Sequence, residues 1–308
     1  MGRRDLMSAR GRVLVTGATG CVGHFALPRL VRNGWDVRAV RSRRDAPEIP
    51  GVTWLHGNLL NPADVQRIVA ESQPSHLLHL AWDIAPGKWA EAPGNLDWVR
   101  ASLDLVTAFR QAGGRRVVSA GSCLEYDWSY GYCAEDRTPL AARTLYGTCK
   151  HALQLLTTAM SSDGAFSSAW GRIFFLYGPL EHPDRLVASV IRSLLSGVPA
   201  RTSHGRQVRD YLYSDDVADA FVRLLESEVT GPINIASGQA VRLREIVERI
   251  GDLTGRKELI QLGAIPAAAT DTPLVVADTT RLTSALGWTP SWDLDRGLQA
   301  TIDWWRTQ

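Results

Sequence analysis

The sequence has few cysteines and no long apolar run. Its four cysteines include no CxxC pair and no zinc-site spacing, so in a chain of this length they indicate reduced thiols of a cytoplasmic protein. No apolar run reaches the roughly 18 residues that a membrane span needs, and Met1 to Arg10 lack the apolar stretch of a secretory signal. We therefore expect no disulfide scaffold, no membrane association and no bound metal.

An excess of charge of one sign is also missing. The 308 residues include 34 Lys+Arg and 32 Asp+Glu, for a formal net charge of +2. This near balance argues against a polybasic protein that binds nucleic acid or an anionic membrane surface. Lysines are scarce, at Lys88, Lys150 and Lys257, so a lysine inside a chemical motif is informative.

The first half of the chain alternates short apolar segments with amphipathic ones. Arg12 to Thr16 (RVLVT) is typical of a buried strand, and residues 95–112 have the apolar spacing of a helix. Strands and helices that alternate in this way predict parallel pairing with crossover helices. We therefore predict an α/β fold, a Rossmann-type doubly wound parallel sheet with a smaller C-terminal substrate-binding lobe.

The second half is less regular, and we predict that it builds the lobe from separated pieces. The dinucleotide-binding domain is predicted over residues 11–177, with 211–236 returning to it, and the lobe over 178–210 and 237–308. Within the second half the apolar pattern also predicts one strand over residues 168–176.

A glycine-rich loop, TGATGCVG over residues 16–23, follows the first predicted strand and opens a helix. Its glycines allow a tight turn, close approach of the backbone to a pyrophosphate, and close packing of the helix on the strand. The helix N-terminus adds free N–H groups and a partial positive charge. We predict dinucleotide contacts from Gly17, Gly20, Cys21, Val22 and Gly23, an ordinary glycine-rich turn being the alternative.

The end of the second predicted strand bears on the choice of dinucleotide. NAD sites place an acid there to bind the ribose 2′-hydroxyl, but this sequence reads VRSRR over residues 40–44, with no acid before Asp45. Guanidinium groups pair well with phosphate oxygens. Arg41 and Arg43, with a hydroxyl from Ser42, therefore favour NADP over NAD, and a solvated basic loop is the alternative.

Tyr146 and Lys150, in YGTCK, lie four residues apart on one face of a helix predicted over residues 145–160. A fixed cation favours the phenolate and lowers the pKa of a tyrosine, which is ordinarily about 10. Such a tyrosine can exchange a proton with an alcohol oxygen. Ser122 follows the fifth predicted strand, at the sheet edge where ligands bind. We predict Ser122, Tyr146 and Lys150 as catalytic residues, the last two also contacting the cofactor.

Further motifs extend this pattern along the chain: HGNLLNP (56–62), HLAW (79–82), RIFFLYGP (172–179) and RQVRDYLYSDDVADA (206–220). On these motifs the chain resembles the extended short-chain dehydrogenase/reductases, within the NAD-dependent epimerase/dehydratase family, over essentially its whole length. The resemblance implies a Ser/Tyr/Lys triad and the family's usual homodimer. It also implies cofactor contacts from Asn58, Leu59, Leu80, Ala81 and Trp82, and a substrate phosphate contact from Arg209. We further predict substrate contacts from Ser122, from Phe175, and from Trp82 near the edge of the fourth predicted strand, core packing being the alternative for Trp82.

Departures from the family pattern bear on the reaction. Cys123 and Leu124 stand where the 4,6-dehydratases carry an acid pair, and loss of water needs an acid and a base. Phe175 replaces the asparagine of RxFNxYGP. Residues 267–271 (AAATD) lack the second phosphate-binding arginine that many family members carry at this point. Both departures put a nucleotide-sugar substrate in question. We predict an NADP-dependent reductase of a keto-sugar, of the 4-keto-6-deoxy nucleotide-sugar class. An NAD-dependent nucleotide-sugar 4-epimerase and a non-catalytic dinucleotide sensor are the alternatives.

Overall fold

The computed structural model of the chain describes residues 10–42, 48–84, 89–267 and 271–308. Its strands, in chain order, are β1 Arg12–Thr16, β2 Asp36–Arg41, β3 Val52–His56, β4 His76–His79, β5 Arg116–Ser122, β6 Tyr132–Cys133, β7 Ser167–Ile173, β8 Phe175–Tyr177, β9 Ala200–Thr202, β10 Val208–Arg209, β11 Tyr211–Tyr213, β12 Gly231–Ile235, β13 Val241–Arg242, β14 Ile260–Leu262 and β15 Leu274–Ala277. Its helices are α1 Cys21–Arg32, α2 Pro62–Ser72, α3 Gly94–Gln111, α4 Leu145–Met160, α5 Leu186–Leu195, α6 Ser214–Leu225, α7 Leu243–Thr254, α8 Thr280–Leu286 and α9 Leu294–Trp305.

The main sheet has seven parallel strands in the spatial order β3-β2-β1-β4-β5-β7-β12. Helices α1 and α6 bury their apolar sides on one face of it, and α2 and α3 on the other. This confirms the predicted doubly wound α/β fold. The strand order reverses between β1 and β4, and such a reversal opens a crevice at the carboxyl ends of the strands.

Local sequence explains two elements that flank this crevice. All seven residues of β5 are buried, as expected for a parallel strand that is covered on both faces. Helix α4 begins where the Thr144 side chain accepts a hydrogen bond from the Gly147 N–H, because such a cap satisfies a donor that the first turn leaves free. Ser122 thus ends a rigid strand, and Tyr146 lies in the first turn of a capped helix.

The strand predicted over residues 168–176 is two strands in the structure. After β7 leaves the main sheet, the Phe175 N–H donates to the carbonyl of Asp210, and β8 pairs in parallel with β11. The chain therefore changes sheets at Phe174, whose side chain is buried in a separate apolar cluster.

A second large core lies where α5, α7 and α9 pack together. Its buried side chains include Val187, Ile191, Ile246, Ile250, Leu298 and Ile302. Short strand pairs accompany these helices, β9 with β14 and β10 with β13 and β15. The helices belong to the segments assigned to the substrate-binding lobe, and that division of the chain stays a prediction. Over the described residues, no helix combines the length and the apolar character that a bilayer span requires.

Candidate active site

The glycine-rich loop turns sharply between β1 and α1. Gly17 has φ +67°, and a Cβ there would lie 2.7 Å from the Ala81 nitrogen; at Gly23 it would lie 2.3 Å from the Gly17 oxygen. At Gly20 an added Cβ would meet only that oxygen, at 3.3 Å. Helix α1 has no side-chain cap and no acid in its first turn. Its free N–H groups and the space beside Gly20 therefore fit a pyrophosphate.

A cavity of about 980 Å³ extends from this loop across the carboxyl ends of the sheet strands. Most predicted site residues line it, namely Gly17, Gly20, Cys21, Val22, Gly23, Ser42, Asn58, Leu59, Leu80, Ala81, Trp82, Ser122, Tyr146, Lys150 and Phe175. Arg41 and Arg209 do not line it, and the predicted contact at Arg43 lies outside the described residues. Residues from widely separated motifs thus share one cavity.

Ser122 and Tyr146 lie side by side on this cavity. The Ser122 N–H donates to Glu125 Oε1 at 2.8 Å, and Ser122 Oγ accepts from the Leu124 N–H at 3.2 Å. The Tyr146 N–H donates to the carbonyl of Ala90 at 2.8 Å. The Ser122 side chain also acts on the Tyr146 phenol, whose pKa it lowers. The two hydroxyl groups are therefore held together by backbone contacts on both sides.

Burial raises the pKa of Tyr146 above its usual value, and the smaller effect of the Ser122 side chain lowers it. The expectation that the pKa of Tyr146 lies below its usual value is therefore wrong for the arrangement found here, because burial has the larger effect. Lys150 Nζ donates to the Ala120 carbonyl at 2.8 Å and lies 3.8 Å from the centre of the Trp82 ring. It is 5.8 Å from the centre of the Tyr146 ring. Tyr146 is consequently a neutral phenol at pH 7, the form that can donate a proton.

Burial also lowers the pKa of Lys150, to about 7, while the Glu125 carboxylate raises it by a smaller effect. The ammonium is stabilised by the Ala120 carbonyl and by the face of Trp82, a cation–π contact. Because its pKa is close to neutral pH, the charge of Lys150 responds to small changes in its surroundings.

Aromatic side chains form the walls around the phenol. The Tyr146 ring meets Trp82 and Trp89 edge to face, at centroid distances of 6.0 and 4.9 Å. Farther along the cavity, Phe175 lies 6.0 Å from Trp128 and 5.7 Å from Tyr211. Such rings offer flat apolar surfaces on which a sugar ring can pack.

Arg209 lies behind this aromatic wall. It is 4% exposed, pairs with the Asp271 carboxylate and donates to the Val208 carbonyl. Its guanidinium carbon is 5.4 Å from the centre of the Phe175 ring. The sequence predicts that Arg209 contacts a substrate phosphate. In the structure Arg209 forms a salt bridge with Asp271, and its side chain does not line the cavity.

Arg41 is also directed away from the cavity. Its guanidinium lies 5.5 Å from the centre of the Trp54 ring and 3.7 Å from Glu48. Its neighbour Ser42 does line the cavity. Three residues are predicted to meet a 2′-phosphate: Arg41, Ser42 and Arg43. Ser42 lines the cavity, Arg41 does not, and Arg43 lies outside the described residues.

Arg185 and Glu181 of the cavity wall are not identified by any sequence motif. Arg185, just before α5, lies with its guanidinium 5.2 Å from the centre of the Trp89 ring. Glu181 follows the Gly178–Pro179 turn, and burial raises its pKa to about 8. Both belong to the connection between β8 and α5. The path of this loop along the cavity is not encoded in any sequence pattern, so the sequence alone gives no sign of a role for either residue.

We expect Gly23→Ala to lower dinucleotide affinity at least about tenfold, because the loop must shift to relieve the clash with the Gly17 carbonyl and a shifted loop loses its close approach to the pyrophosphate. Titration of NADH or NADPH, followed by isothermal calorimetry, measures this change. Gly94→Ala is the control, since a Cβ there has no neighbour within 4 Å. Equal affinity in the two variants would contradict the assignment of the loop.

Comparison with known proteins gives a consistent picture. Residues 13–236 match the family model described as the NAD dependent epimerase/dehydratase family. The CDP-abequose synthase of Salmonella muenchen is 22% identical, over 96% of this chain and 99% of its own. The structure of MoeE5 in complex with UDP-glucuronic acid and NAD is 31% identical, with a TM-score of 0.84 over 96% of this chain and 99% of that chain. The UDP-glucose 4-epimerase of Thermus thermophilus, in complex with NAD, is 25% identical, with a TM-score of 0.85 over 96% of this chain and 99% of that chain.

Proposed function

The chain belongs to the NAD-dependent epimerase/dehydratase family, and we propose that it reduces a keto-sugar carried on a nucleotide, of the 4-keto-6-deoxy class. The observation that carries this proposal is the cluster of Ser122, Tyr146 and Lys150 on the cavity that also contains the glycine-rich loop. Cys123 and Leu124 line the cavity beside that cluster. Neither is a carboxylic acid, and burial raises the pKa of the Cys123 thiol well above its usual value, so these two positions lack the acid–base pair that dehydration requires.

A nicotinamide dinucleotide, when bound along the glycine-rich loop, supplies the hydride chemistry. Tyr146 donates its phenolic proton to the carbonyl oxygen of the sugar as that oxygen gains charge. Ser122 donates a hydrogen bond to the same oxygen and fixes its position. Lys150 provides N–H donors beside the phenol, and its charge supports the phenolate that proton transfer leaves on Tyr146.

Two features of the cavity support a nucleotide-sugar substrate. Its aromatic walls suit a sugar ring, and Arg185 presents a guanidinium to the cavity beside Trp89. Arg185 takes the place of Arg209, which Asp271 neutralises, as a group that can pair with a phosphate. The complex of MoeE5 with UDP-glucuronic acid, a relative 31% identical to this chain, supports the same class of substrate.

We propose NADP as the preferred cofactor, with NAD as the alternative. The lack of an acid at the end of β2 and the VRSRR sequence favour a 2′-phosphate. The NAD-bound relatives favour NAD. Separate titrations of NADPH and NADH distinguish the two, because a guanidinium–phosphate contact adds affinity for NADPH that falls with rising salt.

The test of the reductase is turnover with a panel of nucleotide-linked 4-keto-6-deoxy sugars. We expect one of them to oxidise NADPH, and NADH more slowly, with formation of the corresponding alcohol. Product identification by NMR gives the configuration at the new carbinol carbon. If neither reduced dinucleotide is consumed with any member of the panel, the reductase is excluded.

A nucleotide-sugar 4-epimerase is the second candidate, because two relatives that match over 96% of this chain bear on it: the Thermus enzyme is named a UDP-glucose 4-epimerase, and MoeE5 was solved with UDP-glucuronic acid. An epimerase returns the hydride to the same molecule, so it needs no added reductant. Incubation with UDP-glucose or UDP-glucuronic acid, without added dinucleotide, therefore separates the two functions. Formation of the 4-epimer under these conditions would replace the reductase by the epimerase.

We further propose a homodimer in which α3 and α4 pair with the same helices of a second copy. Leu96 on α3 and Leu155 and Leu156 on α4 are exposed by 56%, 55% and 44%, and apolar side chains on neighbouring helices favour such pairing. We expect light scattering coupled to gel filtration to give twice the 33.8 kDa of one chain. A mass of one chain at micromolar concentration would contradict the dimer.

A further inference from the structure

A buried carboxylate lies directly behind the Ser122 hydroxyl. Glu125 is fully buried and does not line the cavity. Its Oε1 accepts hydrogen bonds from the Ser122 N–H at 2.8 Å and from Trp170 Nε1 at 2.9 Å, and its Oε2 accepts from Arg172 Nε at 2.8 Å. With three donors on two oxygens, the carboxylate is held in one orientation.

The contact between Glu125 and Ser122 is reciprocal. Glu125 accepts from the serine N–H, while the serine Oγ accepts from the backbone of Leu124, which makes a capping box around one short turn. The same Ser122 side chain shares the cavity wall with the Tyr146 phenol and lowers its pKa. A displacement of the Glu125 carboxylate would therefore move the serine hydroxyl relative to the phenol.

The residue before the serine makes room for this arrangement. A Cβ at Gly121 would lie 2.7 Å from Glu125 Oε1 and 2.0 Å from Trp170 Nε1. Only a glycine at this position allows the carboxylate and the indole to meet the end of β5. The sequence AGSCLE thus combines the space, the serine and the carboxylate in six residues.

Glu125 and Lys150 also meet at the same indole. Glu125 Oε1 accepts from Trp170 Nε1 at 2.9 Å, and Lys150 Nζ lies 6.0 Å from the centre of the Trp170 ring. Burial lowers the pKa of Lys150 and the Glu125 carboxylate raises it. Among the described residues, the other titratable groups beside the ammonium are His79 on β4, which burial keeps neutral with a pKa of about 3, and Tyr146 on α4, which is also neutral at pH 7. Arg172 on β7 lies beyond the carboxylate and pairs with it.

We propose that Glu125 is a positioning residue for the reaction: it holds the Ser122 hydroxyl against the Tyr146 phenol and keeps a negative charge behind the Lys150 ammonium. The inference rests on the proposed function for its effect on turnover. Its effect on Lys150 is a property of the protein alone. The two effects can therefore be tested separately.

The chain's three lysines allow a direct test without any substrate. In protein labelled with ¹³C at lysine Cε, the Lys150 resonance is assigned by its absence from Lys150→Arg, and its pH titration is followed by NMR. We expect Glu125→Gln to move this titration about one pH unit lower, because the opposite charge is removed. Trp170→Phe is the matched control. It removes another hydrogen bond to the same carboxyl oxygen but no charge, and it keeps an aromatic ring near the ammonium, which lies 6.0 Å from the centre of the Trp170 ring, so it should move the titration much less than Glu125→Gln does.

Turnover gives the second measurement. We expect Glu125→Gln to lower kcat about 10- to 100-fold, with an unchanged dissociation constant for the dinucleotide, and to move the alkaline limb of the pH profile lower. Gly121→Ala is a second variant, for use if Glu125→Gln does not fold. It displaces the carboxylate while both charges remain, so it should lower both kcat and the pH at which Lys150 titrates.

An unchanged Lys150 titration in a folded Glu125→Gln or Gly121→Ala variant, or an equal shift in Trp170→Phe, would overturn the proposal. Inactivity of the wild type with keto-sugars would instead count against the proposed reductase.

Discussion

Tyr146→Phe is expected to lower kcat by a factor of about 10² to 10⁴, the usual contribution of a positioned general acid. The phenylalanine ring keeps the edge-to-face contacts with Trp82 and Trp89. It loses the proton that the neutral phenol donates and the interaction of that hydroxyl with Ser122. Dinucleotide affinity should stay within about threefold of wild type, since the glycine-rich loop is untouched. Steady-state turnover of the reactive keto-sugar, together with a dinucleotide titration, measures both.

Tyr177→Phe is the matched control for this change. Tyr177 is also buried, and its hydroxyl donates to the Leu294 carbonyl at 3.3 Å, away from the cavity. Its loss should cost about 1 kcal/mol of stability and leave kcat within about twofold. If Tyr146→Phe retained more than about a tenth of wild-type kcat, Tyr146 could not be the proton donor.

Local signals explain how much of the site could be predicted. The glycine-rich loop is encoded by its own glycines between a strand and a helix, and helix α4 has the bounds, Leu145–Met160, that its apolar spacing predicts. Parallel strands bring the loop and Ser122 to one sheet edge whatever the details of packing. The cavity and most of its lining residues follow from these signals alone.

Long-range contacts determine the features of the site that could not be predicted from local sequence patterns. Arg209 is neutralised by Asp271, 62 residues away, and no pattern within either segment reveals that pairing. The direction of the Tyr146 pKa depends on burial by aromatic rings from other segments, which outweighs the nearby lysine suggested by the YxxxK spacing. Arg185 enters the cavity through the path of a loop, and loop paths are poorly encoded by periodicity.

The pair of Arg172 and Glu125 joins two such distant positions, 47 residues apart. Both side chains are almost completely buried, with 1% and 0% exposure. Arg172→Met should leave the carboxylate buried without its countercharge and lower the free energy of unfolding by about 3–5 kcal/mol. For a chain of this length, with an unfolding entropy of about 2.1 cal/mol/K per residue, this corresponds to a Tm lower by roughly 5–8 °C. Chemical denaturation and differential scanning calorimetry measure the loss.

The cost arises from the isolated charge and not from the lost methylene packing, which methionine largely replaces. The double variant Glu125→Gln with Arg172→Met should therefore recover at least about half of the lost stability, because it removes the charge together with its partner. Arg67→Met is the exposed counterpart: it breaks pairs with Asp64 and Glu71 at the surface and should cost much less stability than Arg172→Met. Equal losses in Arg172→Met and Arg67→Met would mean that burial of the pair does not determine its contribution. A double variant no more stable than Arg172→Met would assign the loss to packing, and the carboxylate behind Ser122 would then need no countercharge to remain in place.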